Sequence, residues 1–244
     1  MANNTLIFAH RGSAGTHPEN TMEAFIAAFQ AGANGIELDV QLSKDLVPII
    51  IHDESLERTT NGTGLVKDFT LEELQKLDAG SWFDPSFSTA TIPTLEELLE
   101  WILTTPLILN IELKNGLVRY EGIEKIVLEL IEKFDLLDRV IISSFNHYSL
   151  VEVRKLNSRV ETAILFMEGI YEPWNYARSI GAQGLHCFLP VAVPELIMGA
   201  SKAQMPVRPF TVNEDAHIVS LIKGGCSAII TDWPEKAVKI RGSI

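Results

Sequence analysis

The chain has 244 residues, 46% of them hydrophobic, which is enough apolar mass for a sizeable core. Twenty basic residues against 32 acidic ones leave a formal charge of −12, which argues against nucleic acid or an anionic membrane surface as a partner. Two cysteines, Cys187 and Cys226, cannot form a disulfide framework, and no segment has membrane-spanning length. The first residues carry no basic region and too short an apolar run for a secretion signal, so the cytoplasm is the expected compartment.

Leu6 to Ala9 reads as a buried first strand that ends in His10-Arg11-Gly12. Asn20 with Glu23 three residues on has capping-box spacing and opens a predicted helix carrying Phe25, Ile26 and Phe29. After Gly32 and Gly35 comes the stretch around which the rest is arranged, Gly35 to Asp53. Its first half alternates apolar Ile36, Leu38 and Val40 with polar Glu37, Asp39 and Gln41, so both carboxylates share one face of a strand. A two-residue turn at Lys44-Asp45 would pair 43 with 46, 41 with 48 and 39 with 50, and would set His52 opposite Glu37.

Residues from about 53 to 92 break the rhythm with a turn-rich Arg58-Thr59-Thr60-Asn61-Gly62 run, a short helix over Leu71 to Leu77, and Trp82-Phe83 in a loop. This stretch is too short for a robust core of its own and is expected to be an insertion between elements of one domain spanning 1–244. Thr94, with Glu97 three positions on, caps the next helix; a strand over Leu107 to Lys114 then places Asn110, Glu112 and Lys114 on one face. Strands and helices alternate from there, with strands at 140–144, 162–166, 184–187, 207–212 and 228–231. The count comes to roughly eight strands in right-handed βα units, and 244 residues is a usual length for a closed (β/α)8 TIM barrel. An open dinucleotide-binding sheet would need a glycine spacing that His10-Arg11-Gly12-Ser13-Ala14-Gly15 lacks.

Barrel chemistry sits where strands end, and the ionisable residues there are His10, Arg11, Glu37, Asp39, His52, Glu112, Lys114 and Asp232. Three inward carboxylates, Glu37, Asp39 and Glu112, would repel one another unless a hard divalent cation, Mg²⁺ or Ca²⁺, sat between them. An ion-pair cluster with Arg11 and Lys114 is the competing arrangement. His10 and His52 are the candidate proton carriers, while Arg11 and Lys114 offer fixed positive charge suited to phosphate oxygens. His17, His147 and His217 are expected at the surface, and His186 is a candidate for the barrel mouth.

These residues resemble the signature of the glycerophosphodiester phosphodiesterases. The motifs are His10-Arg11-Gly12, Pro18-Glu19-Asn20-Thr21, Glu37-Leu38-Asp39-Val40, His52-Asp53, Arg58-Thr59-Thr60-Asn61-Gly62, Glu112-Leu113-Lys114, Thr211-Val212-Asn213 and Thr231-Asp232-Trp233-Pro234. Phe210 stands where that family often has Trp. The resemblance implies a barrel with a small insertion after the His-Asp motif, and one Mg²⁺ or Ca²⁺ held by Glu37, Asp39 and Glu112. It implies His10 and His52 as general acid and base, with Arg11, Lys114 and Phe210 contacting substrate. It also implies a small-molecule glycerophosphodiester as substrate, such as glycerophosphocholine, with sn-glycerol 3-phosphate and a free alcohol as products. The chain is expected to work as a monomer or homodimer. A lysophospholipase D or sphingomyelinase D-like enzyme is the nearer rival reading, and a non-catalytic phosphodiester-binding barrel the more distant one.

Overall fold

The computed structural model describes residues 5–244, so the first four residues of the expected domain lie outside the described ones. The chain runs β1 (Leu6–His10), α1 (Met22–Gln30), β2 (Gly35–Leu42), β3 (Pro48–Ile50), α2 (Leu71–Leu74), α3 (Leu95–Ile102) and β4 (Ile108–Leu113). Alternation follows through α4 (Ile123–Lys133), β5 (Val140–Ser144), α5 (His147–Leu156), β6 (Glu161–Phe166), α6 (Pro173–Ser179) and β7 (Gly184–Cys187). It ends with α7 (Pro194–Lys202), α8 (Asp215–Lys223), β8 (Ala228–Thr231) and α9 (Pro234–Ser243).

Seven strands pair in parallel in the order β7-β6-β5-β4-β2-β1-β8, and β3 lies antiparallel on β2 outside that path. Residues 206–212 close the ring. Val207 and Phe210 form parallel bridges to Leu185 and Phe188 on the β7 side. On the β8 side, Ile230 N donates to Pro209 O and Val212 N donates to Ile230 O. The strand expected at 207–212 is therefore present as a stave of isolated bridges, since Pro209 and the adjoining Pro206 have no N–H to give to a ladder. With it the sheet closes as a (β/α)8 barrel.

Side-chain alternation builds two layers from each strand. Ile36, Leu38 and Val40 of β2 and Leu109, Ile111 and Leu113 of β4 join the large core between sheet and helices. The α3 residues Leu95, Leu98, Leu99 and Ile102, at helical spacing, meet them there. Inside the ring, a smaller cluster of Phe8, Ile141, Ala163, Ala228 and Ile230 fills the space beneath the mouth. Thr94 and Glu97 form the expected capping box on α3.

Two local expectations need correction. The α1 cap is Thr21, whose side chain accepts from Ala24 N, while Asn20 sits at φ +58° and turns away from the helix. The hairpin register is slipped by one residue: Val40 pairs Ile50 and Gln41 pairs Ile49. Ser43 N bonds Val47 O, so the loop holds three residues and not two, and Leu46 takes the left-handed conformation at φ +63° that such a loop requires.

Between β3 and α3 the chain leaves the barrel and builds a small apolar cluster from Ile49, Ile51, Leu56, Val66, Leu74 and Ile92, with Ala79. Trp82 and Phe83 stay outside it, about 40% exposed, and stack edge-on against each other. Phe83 packs on Phe87, which meets His17 of the β1–α1 loop at 5.2 Å.

Candidate active site

Glu37 and Asp39 project inward from β2, and Glu112 from the neighbouring β4, where it pairs in register with Asp39. All three are buried, and each offers a carboxylate oxygen within 4.8 Å of the others. The carboxylate cluster expected to hold a cation and the competing ion pairs with Arg11 and Lys114 occur together. Lys114 Nζ lies 3.0 Å from Glu112 and 3.8 Å from Asp39, and Arg11 Nε lies 3.3 Å from Asp39 Oδ2. Two cations do not fully offset three buried carboxylates. Burial, Asp39 and Glu112 push Glu37 well above the usual carboxylate range. Burial and Asp39 raise Glu112 to about 7 even beside Lys114. Asp39 alone is held low, at about 2, because Arg11 and Lys114 outweigh the effect of its burial. An all-oxygen donor set that cannot stay fully ionised by itself fits a hard divalent cation.

Arg11 is placed by its backbone. At φ +52° it turns its N–H onto Glu37 Oε2, 3.1 Å away, and its Nη1 onto Glu19, 2.7 Å away. Its buried Nε makes no hydrogen bond among the described residues. It faces Asp39 Oδ2 as an ion pair instead, so the guanidinium is fixed between Glu19 and Asp39. Asn20, whose helix-capping role passed to Thr21, donates from Nδ2 to Asp39 Oδ2 at 2.9 Å and fixes that carboxylate.

Each imidazole is held through Nδ1 by an aspartate. His10 Nδ1 is 2.7 Å from Asp232 Oδ1, and His52 Nδ1 is 2.6 Å from Asp53 Oδ1. Both aspartates sit below their ordinary values and so act as acceptors; Asp53 is lowered chiefly by Arg58 and then by His52, and Asp232 by His10 and Asn213 against the effect of burial. The Nδ1 atoms therefore carry the protons, and Nε2 is the working nitrogen of each ring. His10 Nε2 lies 3.9 Å from Glu37 Oε2. His52 feels the charges of Asp39, Arg11 and Lys114, and burial lowers its pKa.

His52 reaches the site by another route than strand alternation. The ladder ends at Ile50, Ile51 N bonds Asp39 O, and the Gln41 amide then donates to the carbonyls of Ile51, His52 and Asp53 in turn. Tyr120 Oη holds the other end of that amide at 2.7 Å. One side chain thus does what the lost ladder would have done.

The other half of the mouth is apolar. Phe145 follows β5 and Met167 follows β6, both exposed, and Phe210 stacks between Phe145 and Phe188 with centroids 6.0 and 6.4 Å away. His186 lies inside the barrel and not at the mouth. It is fully buried, 3.2 Å from Arg208, and kept neutral by burial and that charge. His217 is exposed as expected, whereas His147 is half-buried between Leu165 O and Tyr176. Cys187 and Cys226 are buried free thiols. Asp53, Glu19, Arg58 and Asn20 form a support that the site residues read from the sequence did not include, and Asp232, read there only as a strand-end carboxylate, joins it. The one signal for them was their presence in the same short motifs.

The mouth of this closed (β/α)8 barrel, where enzymes of the fold carry their sites, thus brings together two imidazoles, two cations and a carboxylate triad. Residues 10–236 match the model of the Glycerophosphoryl diester phosphodiesterase family. A glycerophosphodiester phosphodiesterase of Caldanaerobacter subterraneus subsp. tengcongensis is 46% identical over 236 residues, covering 97% of both chains. One from Bacillus altitudinis is 48% identical over 240 residues, covering 97% of this chain and 98% of its own. Among solved structures, an Oleispira antarctica phosphodiesterase in complex with the product sn-glycerol-3-phosphate superposes with a TM-score of 0.90 at 32% identity, with 96% of each chain covered. The chain belongs to the glycerophosphoryl diester phosphodiesterase family and is an enzyme of that family. Among the described residues, no helix is long and apolar enough to cross a membrane.

Proposed function

We propose that this enzyme hydrolyses glycerophosphodiesters such as glycerophosphocholine and glycerophosphoethanolamine, with a divalent cation, to sn-glycerol 3-phosphate and an alcohol. One observation carries the reading: two imidazoles, each with Nδ1 tied to an aspartate and Nε2 without a hydrogen-bond partner among the described residues, flank a buried carboxylate triad between Arg11 and Lys114. Glu37, Asp39 and Glu112 would hold the cation, either Mg²⁺ or Ca²⁺. When bound, it offsets the negative charge that builds on the phosphoryl oxygens.

The Arg11 guanidinium and the Lys114 ammonium orient the phosphate. One imidazole takes the proton of the glycerol hydroxyl at Nε2 as a new P–O bond forms. The other gives its Nε2 proton to the leaving oxygen as the old P–O bond breaks, and the roles reverse when water opens the cyclic phosphate. Phe210, with Phe145 beside it, forms the side on which the leaving alcohol rests. The described chain works as one barrel domain with residues 53–92 inserted, and the cytoplasm is its compartment.

The test is release of sn-glycerol 3-phosphate from glycerophosphocholine by metal-stripped protein, with Mg²⁺, Ca²⁺ and Mn²⁺ returned one at a time. Metal-dependent release that His10→Ala and His52→Ala each reduce by about 10²–10⁴-fold is the expected result. No release with any metal from folded protein overturns the reading. The exposed Phe145 and Met167 favour lysophospholipids as the second reading, so dispersed lysophosphatidylcholine belongs in the same assay.

A further inference from the structure

We propose that Arg58, in the segment between β3 and α3, is a positioning residue that holds His52 in one tautomer and couples it to Arg11. The inference rests on the acid–base roles proposed above.

The geometry is a continuous chain of charge-assisted hydrogen bonds from His52 to Arg11. Arg58 Nε and Nη2 donate to Asp53 Oδ2 and Oδ1 at 2.6 and 3.0 Å. Its Nη1 and Nη2 donate to Glu19 Oε2 and Oε1, both at 2.8 Å. One guanidinium thus serves two carboxylates bidentately, using its planar fork on both edges. The far ends of those carboxylates reach the site. Asp53 Oδ1 also accepts from His52 Nδ1 at 2.6 Å, and Glu19 Oε1 also accepts from Arg11 Nη1 at 2.7 Å.

Asp53 follows His52 directly in the chain, and a lone aspartate at that position is free to turn toward solvent. Arg58 removes that freedom by occupying both of its oxygens. The Arg58 side chain is 43% exposed, and exposed ion pairs contribute little to stability. The consequence of the chain is therefore orientation. Its two ends differ in how much they depend on it. Arg11 keeps its backbone bond to Glu37 and its approach to Asp39 when Glu19 is released, whereas Asp53 is the one hydrogen-bond partner of the His52 ring among the described residues. Loss of Arg58 should therefore act on turnover more than on substrate affinity.

The experiment compares native protein, Arg58→Met and Arg58→Lys in two measurements. Ring ¹⁵N shifts of His52, assigned with His52→Gln, are read on metal-free protein and need no substrate. The native ring should show one tautomer with the proton on Nδ1. Arg58→Met should move it toward a mixture, and Arg58→Lys should lie between. Steady-state kinetics on glycerophosphocholine should show kcat down on the order of 10–100-fold in Arg58→Met, the range typical of groups that orient a site residue. KM should change less than about threefold, and Arg58→Lys should recover part of the loss. An unchanged His52 ring in Arg58→Met overturns the proposal, whatever happens to turnover. A shifted ring with native kcat overturns it as well. If native protein has no activity on the diester, the proposed reaction fails, and the ring measurement still decides the role of Arg58.

Discussion

Replacing Glu112 by glutamine probes the carboxylate triad without calling on catalysis. Glutamine keeps the shape and removes the charge. In the metal-free fold, burial and Asp39 lift Glu112 from its usual 4.5 to about 7. At about 1.36 kcal/mol per pH unit, holding Glu112 ionised costs the metal-free fold roughly 3 kcal/mol. The folded value lies above the unfolded one, so the folded state keeps an extra proton between about 4.5 and 7, and stability falls as pH rises through that window. At pH 4 in EDTA the variant and the native protein should unfold nearly alike, because Glu112 is neutral in the fold and mostly neutral in the unfolded chain. At pH 8 in EDTA the variant should be more stable by up to about 3 kcal/mol, or roughly 6–12 °C in Tm for a chain of this size. Saturating Mg²⁺ or Ca²⁺ should reverse the order, because the native protein gains RT ln(1 + [L]/Kd) and the variant has lost a ligand. Urea titrations followed by circular dichroism at both pH values give the comparison. A variant that is less stable than native protein at pH 8 in EDTA, or that gains as much from the cation, refutes the reasoning.

Two further outcomes follow from the geometry. Asp232→Asn puts a group able to donate against His10 Nδ1 and invites the wrong tautomer, so kcat should fall by about 10²–10⁴-fold while the circular dichroism spectrum stays native. Burial pushes the Cys187 and Cys226 thiols up to about 12, so an aromatic disulfide reagent at pH 8 should titrate neither thiol until the protein is unfolded; rapid native reaction at either would contradict the described packing.

What the sequence disclosed and what it hid divide along contact range. The alternation Ile36-Glu37-Leu38-Asp39 is a local period of two, and it placed aliphatics outward and carboxylates inward as the structure has them. The βα rhythm fixed the barrel in the same way. The hairpin register escaped because loop length turned on Leu46 adopting a left-handed conformation, which its residue type does not announce. Asn20 was read as a cap from the residue three positions on, yet its amide serves Asp39, nineteen residues away. Glu19 meets Arg58 across 39 residues and His10 meets Asp232 across 222. Such pairs exist only once the ring has closed, and no local period encodes them. Trp82 and Phe83 were legible as aromatics in a loop; their mutual stacking and their distance from the buried cluster were not.

The stave at 206–212 gives the barrel a seam. Seven strands share continuous ladders, whereas this one carries two prolines, Pro206 and Pro209, and meets β7 through isolated bridges and both neighbours through backbone bonds outside any ladder. A closed ring has no edge to fray, so any breathing must begin by making one, and prolines, which give no N–H, are the natural place for an edge. Opening here would swing Phe210 away from Phe145 and Phe188 and leave β1, β2 and β4, with their carboxylates, undisturbed.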